Sequence, residues 1–349
     1  MSITRQTDIN LGVSERKLDQ ALSGRFIITP MNARAVFLDF ATVSNGDLDP
    51  GVLRAVLPAL ELHDFTPDAH IGQRMAGSEI LLLNKLQITR ELMAANPQLR
   101  LIAVAATGTN NIDLEAARER GIGVCNVRDY CTRSVMQHVL AVILEHTHRL
   151  RDYRALALSS WNQSAQFTML DYPIRELCGR TLGIIGYGTL GRAVAQAAQA
   201  AFDMRVLVAA RPGTAAAPGR VDLDALLSQS DVVSLHCPLT PQTRNLIGER
   251  ELALMKPDAL LVNTARGGLI NSAALARALT ERSIGGAAID VLPQEPPLDG
   301  NPLLDAALPN LLITPHVAWA AREARQRCLD EMAANIADFF TGGTRNRVV

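Results

Sequence analysis

The chain has 349 residues, 48% of them hydrophobic, with 34 Lys and Arg against 35 Asp and Glu. That length predicts two domains with substantial cores, and a formal net charge of −1 gives no general field for nucleic acid or anionic lipid. Five cysteines without C-x-x-C spacing suggest neither a disulfide framework nor a zinc site, and no apolar stretch approaches the ~18 residues of a membrane span, so a soluble cytoplasmic protein is expected.

Residues 1–30 are polar and lack a hydrophobic period, which predicts a disordered leader; the alternative is a short extra helix. They contain no apolar h-region and so do not form a secretory signal. From Met31 the pattern changes. Ala35–Asp39 and Ile80–Leu83 predict buried strands, Thr89–Ala95 a helix, and Leu101–Ala106 a strand. Asp113–Arg120 predicts a helix capped by Asp113 and ended by Gly121, and Ile122–Val127 another strand. A long amphipathic helix is expected over residues 134–151. Residues 152–180 read as irregular, with Trp161 and Phe167 ahead of Tyr172-Pro173. A long irregular segment with several aromatics fits an interface, the alternative being packing on its own domain. From Thr181 the alternation resumes, with strands at Leu182–Ile185, Arg205–Ala209, Val232–Leu235, Ala259–Asn263, Gly286–Val291 and Leu311–Thr314, and a last helix at Arg322–Phe340. Continuous apolar strands separated by helices imply an α/β fold of two doubly wound parallel-sheet units, Rossmann- or flavodoxin-like.

One glycine motif carries chemistry directly. Gly186, Tyr187, Gly188, Thr189, Leu190 and Gly191 spell G-x-G-x-x-G between a predicted strand and a predicted helix. The first glycine makes the turn, the second admits a pyrophosphate, and the third lets the helix pack on the strand. An NAD site wants Asp or Glu ~20 residues further on, to accept hydrogen bonds from the ribose 2′-hydroxyl. Ala209-Ala210 stand there instead, followed by Arg211, which can pair with a 2′-phosphate. NADP(H) preference is therefore expected; with Arg211 merely stacked on adenine, NAD(H) would serve.

Three further blocks carry a family resemblance: Leu261-Val262-Asn263-Thr264-Ala265-Arg266-Gly267-Gly268, Asp290-Val291-Leu292-Pro293-Gln294-Glu295-Pro296-Pro297, and Thr314-Pro315-His316-Val317-Ala318-Trp319. The chain resembles the D-isomer-specific 2-hydroxyacid dehydrogenases from about Val36 to Phe340, and within them most of all the glycerate dehydrogenase/hydroxypyruvate reductase branch. The resemblance implies that Arg266, Glu295 and His316 are catalytic. His316 would protonate the alkoxide that forms when a hydride reaches a 2-oxo carbon, its ordinary pKa of about 6.5 suiting both directions. Glu295 would orient the imidazole, and the planar fork of Arg266 would bind the substrate carboxylate. Glu295, where formate dehydrogenases of the same superfamily have Gln, argues for proton transfer.

The same resemblance implies cofactor contacts at His236, Cys237, Pro238, Thr243, Thr264, Ala265, Asp290 and Ala318, with Asp290 near the nicotinamide carboxamide. It implies substrate contacts at Lys85 and the loop Asn84–Leu86, at Thr107 and Gly108, and at Trp161, which would reach a partner's site. It also implies a homodimer formed through the arm 152–180. The substrate domain would comprise residues 31–132 completed by a C-terminal helix within 320–349, the nucleotide domain residues 133–319, with the active cleft between them. The substrate would be a small 2-oxo or 2-hydroxy acid; no metal, nucleic acid or membrane partner is expected. Two rivals accompany this reading: a nucleotide-sensing corepressor-like protein on the same fold, disfavoured by the lack of interaction tails, and a phosphoglycerate dehydrogenase-like enzyme, disfavoured because no regulatory domain follows Phe340.

Overall fold

The computed structural model describes residues 31–211, 217–305 and 308–349. The expected leader, residues 1–30, lies outside the described residues. The described chain divides into two units, residues 31–128 with Gln326–Val349, and Asp129–Arg325.

In the first unit the elements run β1 (Ala35–Phe37), α1 (Gly51–Val56), β2 (Glu61–Leu62), α2 (Ile71–Met75), β3 (Ile80–Leu83), α3 (Arg90–Ala94), β4 (Leu101–Val104), α4 (Leu114–Glu119) and β5 (Gly123–Cys125). The strands pair in parallel in the order β2-β1-β3-β4-β5. Every residue of β3 and β4 is buried, as uninterrupted apolar strands require when both faces of a sheet are covered. Asp113 caps α4 by accepting a hydrogen bond from Ala116 N at 2.8 Å, and Gly121 follows the helix in the left-handed region at φ +68°. The free edge of β5 is taken up by the end of the chain. Val348 N donates to Val124 O at 2.7 Å and Val124 N to Val349 O at 3.2 Å.

The second unit contains α5 (Thr132–His148), α6 (Leu150–Ser160), β6 (Thr181–Ile185), α7 (Thr189–Phe202), β7 (Arg205–Val208), α8 (Leu223–Gln229), β8 (Val232–Leu235), α9 (Glu249–Leu254), β9 (Leu260–Asn263), α10 (Ser272–Thr280), β10 (Gly286–Ile289), α11 (Pro302–Asp305) and β11 (Leu311–Ile313). A last helix, α12 (Arg322–Phe340), starts here, and its residues from Gln326 onward belong to the first unit. Cys328, Leu329, Met332, Ala333 and Ile336 are its buried stripe, at helical spacing.

The second sheet is parallel throughout, in the order β11-β10-β9-β8-β6-β7. Its side chains alternate between two cores. Leu182, Ile184, Val232, Leu260 and Val262 pack with Val135, Val139 and Ile143 of α5 and Val194 and Ala198 of α7. Ile185, Val233, Leu235, Leu261 and Ile289 pack with helices α8 to α11 on the other face. Because β6 has β7 on one side and β8 on the other, successive crossovers depart in opposite directions, and a crevice forms at the carboxyl ends of β6 and β8.

Two expectations for this region change. The helix expected over 134–151 stops at His148, where Arg149 adopts a left-handed conformation at φ +55°, and the segment expected to be irregular opens with α6. One left-handed arginine thus divides two helices, the first with a buried stripe at Val135, Val139, Val142 and Ile143 and the second with no buried residue. Trp161 and Phe167 are exposed, as expected, at 55% and 90%.

Candidate active site

The glycine turn after β6 separates its three tasks cleanly. Gly186 has φ +97°, and a Cβ there would overlap the backbone of His236 and Cys237 at the end of β8. A Cβ on Gly191 would overlap Gly186 O, so the third glycine seats α7 against the turn. Around Gly188, by contrast, nothing lies within 4 Å of such a Cβ. Gly188 is the N-cap of α7 and provides no side-chain cap, which leaves the first-turn N–H groups directed at that open space. A diphosphate fits this cradle.

The residues beside it are polar but carry no charge. His236 Nε2 lies 2.9 Å from Ser234 Oγ, and burial lowers the imidazole to about 4, so the ring is neutral around pH 7. Burial raises the Cys237 thiol above its ordinary value, which keeps it protonated as a small side chain. Thr243 Oγ1 donates to Pro238 O at 2.8 Å and accepts from Thr240 N at 2.7 Å, which shapes the loop after β8 from within. At the end of β9, Thr264 Oγ1 is buried without a hydrogen-bond partner, and a cofactor hydroxyl or phosphate oxygen would satisfy it. The open cradle and this orphaned hydroxyl both fit a dinucleotide.

The proton-transfer pair is assembled on the loops after β10 and β11. His316 Nδ1 and Glu295 Oε2 are 2.6 Å apart, and Glu295 Oε1 accepts from Leu292 N at 2.8 Å. Both side chains are about one-third exposed, at 29% and 35%, so they are open to a ligand. His316 itself adopts φ +55°, an uncommon conformation for a residue with a Cβ. Its backbone is held there: His316 N donates to Asp290 O at 2.8 Å and Trp319 Nε1 to His316 O at 2.9 Å.

Asp290 supplies most of that support. It is 2% exposed, and its carboxylate accepts Thr314 Oγ1 at 2.6 Å, Val317 N at 2.9 Å and Ala318 N at 2.9 Å. These three donors give the buried carboxylate a positioning role for the His316 loop, beside the contact with the nicotinamide carboxamide expected of it. Ala318 is likewise buried; its carbonyl accepts Ser134 Oγ of α5 at 2.7 Å.

Arg266 follows β9. Asn263, fully buried at the strand end, clamps its loop: Oδ1 accepts from Ala265 N at 3.0 Å and Nδ2 donates to Arg266 O at 2.9 Å. The exposed guanidinium bonds Ala265 O at 2.6 Å. A Cβ on Gly267 would overlap the backbone of Leu292, so the Arg266 loop lies directly against the Glu295 loop. Asn263 carries the one legible signal among these supports, a polar residue ending an apolar strand.

The residues expected to bind substrate in the first unit lie on the loops after β3 and β4. Lys85 is exposed, but the backbone N–H groups of Asn84, Lys85 and Leu86 all point to Asp39, at 2.8, 2.7 and 3.3 Å. These three amides therefore hold the loop against an internal carboxylate. Asp39 is buried at the carboxyl end of β1, and burial raises its pKa against those three amides. Thr107 is exposed while its Oγ1 donates to Val127 O at 2.8 Å; Gly108 beside it is partly exposed. In the arm, Trp161 Nε1 donates to Phe167 O at 3.2 Å. Among the described residues no group of three or more His, Cys, Asp or Glu could hold a metal ion, and no helix is long and apolar enough to cross a membrane.

Comparison with known proteins agrees with this geometry. Residues 140–318 match the family described as D-isomer specific 2-hydroxyacid dehydrogenase, NAD binding domain. The chain is 46% identical over 285 residues to a glycerate dehydrogenase of Methylorubrum extorquens, covering 81% of this chain and 89% of that protein. It is 36% identical over 322 residues to a hydroxypyruvate reductase of Blautia hydrogenotrophica, covering 90% and 99%. Among solved structures, the TT0316 protein of Thermus thermophilus superposes with a TM-score of 0.78 at 35% identity, covering 90% of this chain and all of that one. The chain belongs to the D-isomer specific 2-hydroxyacid dehydrogenases, oxidoreductases that act with NAD(P) on the CH–OH group of 2-hydroxy acids.

Proposed function

We propose that this enzyme interconverts hydroxypyruvate or glyoxylate with the corresponding 2-hydroxy acid, D-glycerate in the first case, and prefers NADP(H) over NAD(H). The observation that carries the catalytic assignment is the 2.6 Å contact between His316 Nδ1 and Glu295 Oε2. A carboxylate on Nδ1 keeps a proton there, so Nε2 is the nitrogen available to the substrate oxygen. Bound nicotinamide supplies or accepts the hydride at the substrate's second carbon. His316 delivers the proton to the developing alkoxide and removes it in the reverse direction, and Glu295 stabilises the imidazolium. Arg266 binds the substrate carboxylate and polarises the neighbouring carbonyl. Lys85 and the Thr107-Gly108 backbone add donors for that carboxylate.

The names of the two relatives support the substrate, and NADP(H) preference rests on Ala209-Ala210-Arg211, where an NAD site would present a carboxylate. A homodimer formed through the arm is supported by its exposed Leu158, Trp161, Phe167 and Leu170. A cytoplasmic location is supported by five cysteines that form no disulfide. The test is a kinetic panel of hydroxypyruvate, glyoxylate and pyruvate against NADPH and NADH, followed by nicotinamide absorbance. Turnover with hydroxypyruvate that drops ~10²–10⁴-fold in His316→Gln, with cofactor binding kept, is expected. Cofactor binding without oxidation by any 2-oxo acid would overturn the reading in favour of a nucleotide-sensing protein.

A further inference from the structure

A second arginine stands at the place where a dinucleotide fold reads the ribose. Arg220 Cζ lies 5.1 Å from the centroid of the Tyr187 ring, the residue between the first two glycines of the turn. Its Nη1 donates to Ala209 O at 3.2 Å, at the carboxyl end of β7. The backbone fixes this arrangement. Val221 forms a parallel bridge with Ala209, Ala210 N donates to Val221 O at 2.7 Å, and Val221 N donates to Val208 O at 3.0 Å. Arg220 is thus held by a short strand-like pairing at the sheet edge, not by a wandering side chain.

Among the described residues its charge has no counterpart, since no carboxylate lies within 4.0 Å of Arg220. The acids that follow it are engaged elsewhere: Asp222 caps α8 by accepting from Ala225 N at 2.7 Å, and Asp224 takes a bidentate pair from Arg250 at 2.8 Å. A ring face and a carbonyl orient a guanidinium but leave its positive charge unneutralised. Of its five N–H donors, one is engaged by Ala209, and the fork that remains suits the oxygens of a phosphate.

We propose that Arg220, seated on Tyr187 and Ala209, binds the 2′-phosphate of NADP(H) and is a specificity-determining residue of the cofactor site. This rests on the NADP(H) reading and extends it from Arg211, which follows the same strand, to a residue nine positions further on. The stack also explains an aromatic side chain in the glycine turn: Tyr187 braces the guanidinium against the cradle, so phosphate selection and diphosphate binding share one rigid surface.

The experiment is calorimetric titration with adenosine 2′,5′-bisphosphate and with 5′-AMP, alongside kcat/KM for NADPH and NADH. In Arg220→Gln, affinity for the bisphosphate should fall ~10–100-fold, with at most ~3-fold for 5′-AMP, and the NADPH:NADH ratio should fall by a matching factor. Arg220→Lys should recover part of the loss, because charge returns without the fork; it also gives the same comparison if the Gln variant fails to fold. An equal loss for both nucleotides, or no loss for the bisphosphate, overturns the assignment. A wild-type preference for NADH in turnover would end the NADP(H) reading, whereas the Arg220 assignment is decided by the 2′-phosphate discrimination measured in binding.

Discussion

The buried carboxylate of Asp290 holds the backbone on the far side of His316, accepting from Val317 N and Ala318 N at 2.9 Å each, while its own carbonyl accepts from His316 N at 2.8 Å. A single strand-end residue therefore sets where the imidazole emerges and keeps it in a left-handed conformation. Catalytic placement and local stability are coupled at this point.

Asp290→Ala should accordingly be costly in two ways. Three donors would lose a buried charged acceptor, which costs about 2–4 kcal/mol. His316 would lose its register, and kcat should fall at least ~10-fold. Urea denaturation and steady-state kinetics on the same preparation check this; a stability loss with kcat unchanged would show that His316 is positioned independently of Asp290.

Two glycine substitutions separate ligand space from packing space. Gly188→Ala meets no protein atom within 4 Å and keeps a negative φ of −78°, so folding should change by less than ~0.5 kcal/mol. The methyl would occupy the diphosphate cradle, and dinucleotide affinity should drop at least ~10-fold. Gly267→Ala overlaps Leu292 backbone and should lower stability by at least ~2 kcal/mol, separating the Arg266 and Glu295 loops. Thermal melts with and without cofactor distinguish the two patterns.

His236 predicts acid sensitivity of a defined sign. Burial lowers its folded pKa to about 4, below its unfolded value of about 6.5. Between those values the unfolded chain binds the extra proton, so this contribution is fully present above about pH 6.5 and is lost as pH falls toward about 4. His236→Gln should remove on the order of 1 kcal/mol from the stability difference between about pH 7 and about pH 5. Denaturation midpoints at the two pH values provide the measurement, and an identical difference in wild type and variant would contradict it.

The arm predicts an oligomer. Leu158, Phe167 and Leu170 are 72%, 90% and 83% exposed within one short segment, a larger apolar display than an isolated surface normally carries. Wild type should sediment as a dimer, and Leu158→Ser with Phe167→Ser and Leu170→Ser should shift it to monomer at micromolar concentration. A wild-type monomer would leave the arm without this role.

The sequence by itself determined the features that depend on short-range pattern. Apolar runs marked the strands of both sheets except the edge strand β2, because a parallel sheet buried on both faces permits no polar alternation, whereas the two-residue, part-exposed Glu61–Leu62 at the edge carries no such run. The three glycines of Gly186–Gly191 were legible because backbone freedom and close approach admit no other residue, and Arg266, Glu295 and His316 were candidates through the resemblance that their three blocks carry. The cap at Asp113 and the stop at Gly121 were equally local. Tertiary structure decided what each carboxylate and each charge faces. Asp39 receives amides from 45 residues away, and nothing near it in the chain announces them. Asp290 was a candidate site residue through the resemblance, but its bonds to Thr314, Val317 and Ala318 depended on β11 lying beside β10. Arg220 became a candidate only when β7 brought Ala209 and the glycine turn brought Tyr187 to its guanidinium. Periodicity reports which face of an element is buried, but not which distant groups meet across it, and the chemistry of this enzyme rests on those meetings.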